Sequence, residues 1–158
     1  MKKSPSIFND VIGPVMRGPS SSHTAASWRI AKMCLEMLQE PLNKAVIDFD
    51  KNGAWAPNYR EQGTTLGIDG GLLGLDMTDH LMKQTEQVAA ERGVLIDYEV
   101  NTFKTNHVNT VRLNLTGING KNVKALAASL GGGAFEIQEL NGFEVSIRGD
   151  YYELLIFT

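Results

Sequence analysis

The chain has 158 residues, of which 42% are hydrophobic and 21% are charged, and its formal net charge is −3. This length corresponds to about one domain, and the composition excludes wholesale disorder. The small negative charge excludes a nucleic-acid binder held by bulk charge, and no apolar run approaches the roughly 18 residues of a membrane span.

Cysteine usage and the N-terminus restrict the class further. The chain has one cysteine, Cys34, which excludes an internal disulfide framework and any cysteine-ligated metal centre built by this chain alone. The first residues are basic but lack the apolar segment of a secretory signal. We therefore expect a soluble cytoplasmic domain.

A polar loop followed by a helix opens the interpretable part of the chain. Residues 18–24 form the loop, and the pattern after it predicts a helix from about Ala25 to about Gln39. The polar residues of this helix recur at spacings of three and four: Arg29, Lys32, Glu36 and Gln39. At this spacing they line one face of the helix. The other positions are mostly apolar, which predicts a largely buried helix that Pro41 ends.

The middle of the chain predicts one strand and two helices. Residues 45–49 alternate as a strand, and Lys51-Asn52-Gly53 follows as a turn. Residues 64–75 are apolar and rich in glycine, so a helix there depends on tight packing. Residues 79–92 predict a clearer helix, capped by Thr78 or Asp79 and ended by Gly93.

The last third of the chain changes to a period of two residues, which is typical of strands. Alternation predicts strands over 96–100, 111–115, 135–138 and 143–148, and a strand-like stretch precedes Gly131. Asn141-Gly142 is a strong hairpin signal, and residues 151–158 also read as a strand. Half-polar strands indicate an antiparallel sheet with helices on one face, so the predicted class is α+β, with α/β left open.

The loop before the first helix is the first candidate site. It brings together three hydroxyls and an imidazole at a helix N-terminus, where unpaired N–H groups and a positive partial charge favour an anion. Its residues are Ser20, Ser21, Ser22, His23 and Thr24. The alternative is an ordinary cap, in which Ser22 or Thr24 satisfies the free N–H groups and His23 is a surface residue.

A polar connection between two predicted strands, residues 104–110, is the second candidate site. In the functional interpretation, His107, Asn109 and Thr110 present side chains to one ligand. In the alternative interpretation, the segment is an ordinary hairpin loop.

Two further patterns argue against other chemistries. Residues 131–133 are three glycines that resemble a phosphate loop, but they precede a strand and lack the Lys-Ser/Thr of a Walker motif, so we reject nucleotide binding. The histidines, His23, His80 and His107, do not fall at zinc-ligand spacings. We predict that this chain binds no metal.

Four segments, in chain order, resemble one known family. Gly18-Pro19-Ser20-Ser21-Ser22-His23-Thr24 resembles the Gly-Pro-Ser-Ser-Ser-His-Thr signature of the beta chain or beta domain of bacterial iron–sulfur-dependent L-serine dehydratases. Residues 107–112 resemble the family's His-Pro-Asn-Thr-Val-Arg, with Val108 in place of proline. Residues 129–133 resemble its Ser-Ile-Gly-Gly-Gly, and residues 141–145 resemble its Asn-Gly-Phe-Asp-Val.

The resemblance implies a function and a partner. The family deaminates L-serine to pyruvate and ammonia, using a [4Fe-4S] cluster on an alpha domain or chain that polarises the substrate hydroxyl. The beta part, here residues 1–150, has an α+β fold similar to the allosteric substrate-binding domain of some 3-phosphoglycerate dehydrogenases. Residues 151–158 would begin an ACT regulatory domain of a longer protein. We also expect a small amino-acid or carboxylate ligand and a homo-oligomer.

The resemblance also implies site residues and one departure from the pattern. It gives catalytic roles to His23 and His107 and substrate-binding roles to Ser20, Ser21, Ser22, Thr24, Gln62, Asn109 and Thr110. The family's Tyr-Lys-Gly-His-Gly-Thr-Asp loop matches residues 59–65, where Gln62 replaces histidine and Thr65 replaces aspartate. Glutamine cannot shuttle a proton. Either the substrate differs, or Glu61 serves instead, or the chain is a non-catalytic module that binds small carboxylates.

Overall fold

One six-stranded sheet organises the chain, with the helices packed against one of its faces. The computed structural model describes residues 15–156. The α-helices are α1 Ala26–Leu38, α2 Thr64–Leu72 and α3 Thr85–Glu91, and the strands are β1 Leu42–Asp50, β2 Leu95–Asn101, β3 Thr110–Gly117, β4 Asn122–Gly131, β5 Ala134–Leu140 and β6 Phe143–Ile147. A π-helical turn, Ser21–Ala25, precedes α1, and a 3₁₀ turn, His80–Gln84, precedes α3. The predicted α+β class is confirmed.

The strand order is β2-β1-β3-β4-β5-β6. Each pairing from β1–β3 through β5–β6 is antiparallel, as predicted, whereas β1 and β2 run parallel. A parallel pair needs a long crossover, and residues 51–94 supply it with α2 and α3. The two-residue turn at Asn141-Gly142 joins β5 and β6, and both of its residues have positive φ.

The alternation of side chains along the strands determines which face of the sheet forms the core. Ala45, Ile47 and Phe49 of β1 are fully buried against the helices, as the period of two predicts. Asp48 points to the opposite face, where its carboxylate accepts a hydrogen bond from Arg112 of β3. The sheet therefore has one apolar face and one mainly polar face.

The glycine-rich helix α2 forms because it packs closely against the start of α1. A β-carbon at Gly67 would overlap the carbonyl of Thr24 and the hydroxyl of Ser27. The Ser27 hydroxyl lies between the two elements and contacts the carbonyls of Thr24 and Thr64 at 3.2 and 3.1 Å. Low helix propensity is thus offset by a contact that a larger residue would prevent.

The helix predicted over residues 79–92 is interrupted. Gln84 has φ −129° and ψ 28°, which separates the 3₁₀ turn from α3. The predicted cap is present, because Asp79 accepts a hydrogen bond from the N–H of Leu81 at 2.9 Å. Gly93 follows α3 with a positive φ, as predicted for a helix end.

The strand predicted at the C-terminal end is wrong for the residues described. Residues 148–156 are irregular, and a strand needs a neighbour with which to form its ladder. Leu155 packs against the core, while Tyr152 and Leu154 are exposed. The basic first residues of the chain lie outside the described residues. Within residues 15–156, no helix is long and apolar enough to cross a membrane.

Candidate functional site

The serine loop, residues 20–24, folds around the His23 side chain. The hydroxyl oxygens of Ser20 and Ser22 lie 3.0 and 3.3 Å from Nδ1 of His23, and 3.2 Å from each other. Ser21 is exposed, and Ser20, Ser22 and His23 are half-buried. Hydroxyls and an imidazole therefore converge on a partly open surface at the start of a helix.

The serine hydroxyls do not cap this helix. No side-chain oxygen caps the turn that begins after Ser20. The Ser20 carbonyl instead accepts hydrogen bonds from the N–H groups of His23 and Thr24, at 3.2 and 2.7 Å. The capping alternative is thus not realised, and the Ser20 and Ser22 hydroxyls keep hydrogen-bonding capacity beyond their contacts with each other and with His23.

An aromatic ring encloses one side of His23. The Trp55 ring lies 5.8 Å from the His23 ring between centroids, with an interplanar angle of 36°. Trp55 is itself buried and packs on Phe49 of β1. Burial lowers the pKa of His23 from its ordinary value of 6.5, because the charged form loses hydration. His23 is therefore held in its neutral form at pH 7.

The segment that precedes α2 joins the serine loop. The Thr24 hydroxyl donates a 3.4 Å hydrogen bond to the carbonyl of Gln62, and Gln62 is half-buried. The Gln62 N–H donates to the carbonyl of Asn58 at 3.0 Å. The structure thus brings Gln62 to the serine loop, whereas the fully buried Thr24 uses its hydroxyl inside the chain.

The connection between β2 and β3 carries the second candidate group. Because β1 lies between these strands, this connection crosses the end of β1 and is not a hairpin. The Thr110 hydroxyl donates to the carbonyl of His107, and its oxygen lies 2.8 Å from the Thr105 hydroxyl oxygen. The Asn109 carbonyl accepts from the N–H of Ser129 at 2.9 Å, which fixes the connection to β4.

A short chain of contacts connects the two groups. The N–H of Ala54 donates to the carbonyl of Val108 at 2.7 Å, and the next residue, Trp55, contacts His23. A β-carbon at Gly53 would lie 2.8 Å from the Val108 carbonyl oxygen, so only glycine permits this approach. Among the described hydrogen bonds, none joins His107 to His23 directly.

The three-glycine segment closes the same end of the sheet. Gly132 and Gly133 have positive φ and form the turn between β4 and β5. A β-carbon at Gly133 would meet the side chains of Met16 and Ala25, and the Gly133 carbonyl accepts from Arg29 at 2.9 Å. The glycines therefore allow close packing against the start of α1.

The described residues hold no cluster of metal ligands. Cys34 is fully buried in α1, and burial raises the pKa of its thiol to about 12. A neutral thiol without solvent access is a poor metal ligand. Among residues 15–156, nothing fits an iron–sulfur cluster.

Sequence reasoning missed the residues that support the site. Trp55 shields His23, and Thr105 contacts His107 through its hydroxyl. Arg112 binds the buried Asp48 and lies over the Phe103 ring at 4.4 Å, which orders the start of the β2–β3 connection. Thr105 lies in the predicted polar connection 104–110 and Arg112 lies in the motif 107–112, but the sequence assigned neither of them a role.

Comparison with known proteins identifies the family. No family model matches the chain. The chain is 36% identical over 151 residues to the probable L-serine dehydratase, beta chain, of Bacillus subtilis (strain 168), covering 96% of this chain and 67% of that protein. The chain belongs to the L-serine dehydratase beta-chain family. It is also 31% identical over 148 residues to the L-serine dehydratase, beta chain, of Peptoniphilus asaccharolyticus, covering 93% of this chain and 66% of that protein.

The resemblance based on short motifs is thereby confirmed at the level of the family. The chain spans about two thirds of the length of each beta-chain relative. Three of the four motifs, residues 18–24, 107–112 and 129–133, lie at one end of the sheet, whereas residues 141–145 form the β5–β6 turn at the opposite end.

Proposed function

We propose that this chain is the beta part of an L-serine dehydratase, which converts L-serine to pyruvate and ammonia together with an alpha-chain partner. The observation that carries the proposal is the convergence of the Ser20 and Ser22 hydroxyls on Nδ1 of His23, on a partly open surface. The names of the two relatives, both L-serine dehydratase beta chains, support the reaction and the division into chains.

The serine loop suits the carboxylate of a small amino acid. Ser20, Ser21 and Ser22 can donate hydrogen bonds from side chains at the positive end of a helix, which favours a bound anion. Ser21 is exposed to solvent, so a ligand can reach the serine loop from this side. We assign carboxylate binding to these three residues, with Thr24 holding the loop in place.

His23 suits the removal of the Cα proton. A proton acceptor must be unprotonated at working pH, and burial beside Trp55 lowers the pKa of His23. We assign the proton of the neutral ring to Nδ1, which donates it to the Ser20 or Ser22 hydroxyl oxygen, so that the unprotonated Nε2 can accept the Cα proton. Gln62 has no ionisable side chain, so we assign it a hydrogen bond to the substrate and no proton transfer.

The partner must supply what this chain lacks. Expulsion of the substrate hydroxyl is assisted by a Lewis acid, and the described residues offer no metal-binding set. We place a [4Fe-4S] cluster on the alpha chain. His107 and Asn109 would complete the substrate site, while Thr110, whose hydroxyl is used internally, would shape the loop.

The test is pyruvate release from L-serine by this chain alone and by its complex with an alpha chain. We expect turnover by the complex only. His23→Ala in the complex should lower kcat on the order of 100-fold or more, because a general base is removed. His80→Ala, an exposed residue outside the site, is the matched control. Turnover by the isolated chain, or an unchanged His23→Ala complex, contradicts the proposal.

A second function is favoured by one observation. Gln62 and Thr65 stand where the family motif has histidine and aspartate, which suits a module that binds a small carboxylate without catalysis. Calorimetry distinguishes the two. Binding of L-serine and of other small carboxylates that depends on His23, with no turnover by any complex with an alpha chain, supports the module.

A further inference from the structure

The ring of His107 is fixed by a backbone hydrogen bond. The N–H of Asn109 donates to Nδ1 of His107 at 3.1 Å. A ring nitrogen that accepts a hydrogen bond carries no proton, so in the neutral imidazole the proton lies on Nε2. In the described part of the chain, Nε2 has no hydrogen-bond partner of its own and is left for a ligand.

The Thr105 hydroxyl hydrogen-bonds the backbone of His107. Its oxygen accepts from the N–H of His107 at 3.0 Å, and the hydroxyl donates to the His107 carbonyl at 2.7 Å. The Thr110 hydroxyl donates to that carbonyl as well. These bonds fix the backbone at His107 and therefore the position from which its ring reaches the N–H of Asn109.

We infer that His107 is a hydrogen-bond donor fixed in the Nε2–H tautomer, and that Thr105 is the positioning residue that keeps it so. This inference rests on the proposed function. It assigns different roles to the two histidines of the site. Neutral His107 has its proton on the free nitrogen and its lone pair occupied by Asn109, so it cannot accept the Cα proton. It donates to an oxygen of the substrate, and proton removal falls to His23.

The tautomer can be measured on the 158-residue chain without substrate. Long-range ¹H–¹⁵N correlation spectra separate protonated from unprotonated ring nitrogens, and the chain has only three histidines to assign. In the wild type we expect a protonated Nε2 and an unprotonated Nδ1 for His107. A protonated Nδ1, or averaged signals from two tautomers, would overturn the inference.

Variants of Thr105 test its positioning role. Thr105→Val keeps the shape but removes the hydroxyl, so we expect signals averaged between tautomers, while Thr105→Ser restores the wild-type spectrum. Thr102→Val, at an exposed position of the same connection, is the matched control. If Thr105→Val does not fold, Thr105→Ala removes the same hydroxyl. A wild-type tautomer in the folded Thr105→Val or Thr105→Ala protein overturns the role of Thr105.

Activity of the complex with an alpha chain gives the second readout. Thr105→Val should lower kcat on the order of 10- to 100-fold with a smaller effect on KM, and Thr105→Ser should recover most of the loss. Wild-type kcat in Thr105→Val would contradict the inference. If no complex deaminates L-serine, the proposed function fails while the tautomer measurement still decides the assignment of His107.

Discussion

The Tyr98 hydroxyl of β2 donates a 2.5 Å hydrogen bond to Oδ1 of Asp69, a buried carboxyl on α2. The hydroxyl of Thr85 contributes a 3.3 Å hydrogen bond to the other carboxyl oxygen. Burial raises the pKa of Asp69 to about 6, although both hydrogen bonds act in the opposite direction. Burial and the neighbouring carboxylate also raise the pKa of Tyr98 well above 10. This contact connects the helix that follows Gln62 to the edge of the sheet.

Asp69 should make the protein less stable as pH rises from about 4 to 6. In that range the folded state retains a proton that the unfolded state, with an ordinary pKa of 3.8, has lost. Urea unfolding should therefore show wild type losing up to about 3 kcal/mol across this range relative to Asp69→Asn. Asp76→Asn, an exposed carboxyl, is the control. Parallel pH profiles for wild type and Asp69→Asn would refute this.

Gly53→Ala should displace the connection that carries His107. The new β-carbon would lie 2.8 Å from the Val108 carbonyl, so the hydrogen bond from Ala54 must lengthen or break. We expect a loss of stability of about 1–3 kcal/mol and shifted ring signals of His107. Lys51→Ala, exposed in the same turn, should leave both unchanged. An unmoved His107 signal in Gly53→Ala would show that this contact does not hold the loop.

Trp55 should control the protonation of His23. Trp55→Leu removes the ring beside the imidazole and admits water, so the pKa of His23 should rise toward 6.5. The measurement is an NMR titration of the ring protons, with Trp28→Leu as the control. In the wild type, burial of neutral His23 also predicts a loss of stability as pH falls below 6.5. A pKa that is equal in all three proteins would contradict the shielding role.

Cys34 should be unreactive in the folded chain. Its thiol is fully buried, and burial raises its pKa to about 12, so almost no thiolate is present at neutral pH. A thiol reagent should modify one residue per chain in denaturant and almost none in native buffer. Rapid labelling of native protein would show that α1 opens readily or is packed differently.

Much of the fold could be predicted because its signals are local. The strand pattern around Val111, Leu113 and Leu115 and the turn at Asn141-Gly142 depend only on neighbouring residues, and both are confirmed. The parallel pairing of β1 with β2 was not predicted, since it depends on how the crossover returns to the sheet. The strand predicted at residues 151–158 failed over its described part because a pattern of apolar residues cannot supply a neighbouring strand.

The candidate site, like the fold, has parts that the sequence predicted and parts that it did not. The serine loop and the His107 segment were identified from their polar residues and from a resemblance, and the family is confirmed. Their connection through Ala54 and Trp55 was not visible, because these residues are distant in sequence from both loops.

The amino-acid sequence by itself determined the family, the α+β class and the residue types available for chemistry, since periodicity and short motifs are properties of neighbouring residues. Tertiary structure alone decided how those residues act. Burial beside Trp55 lowers the pKa of His23, and the N–H of Asn109 selects the tautomer of His107. Solvation depends on packing between distant segments, and the His107 tautomer depends on the folded path of its loop; neither is contained in a local pattern.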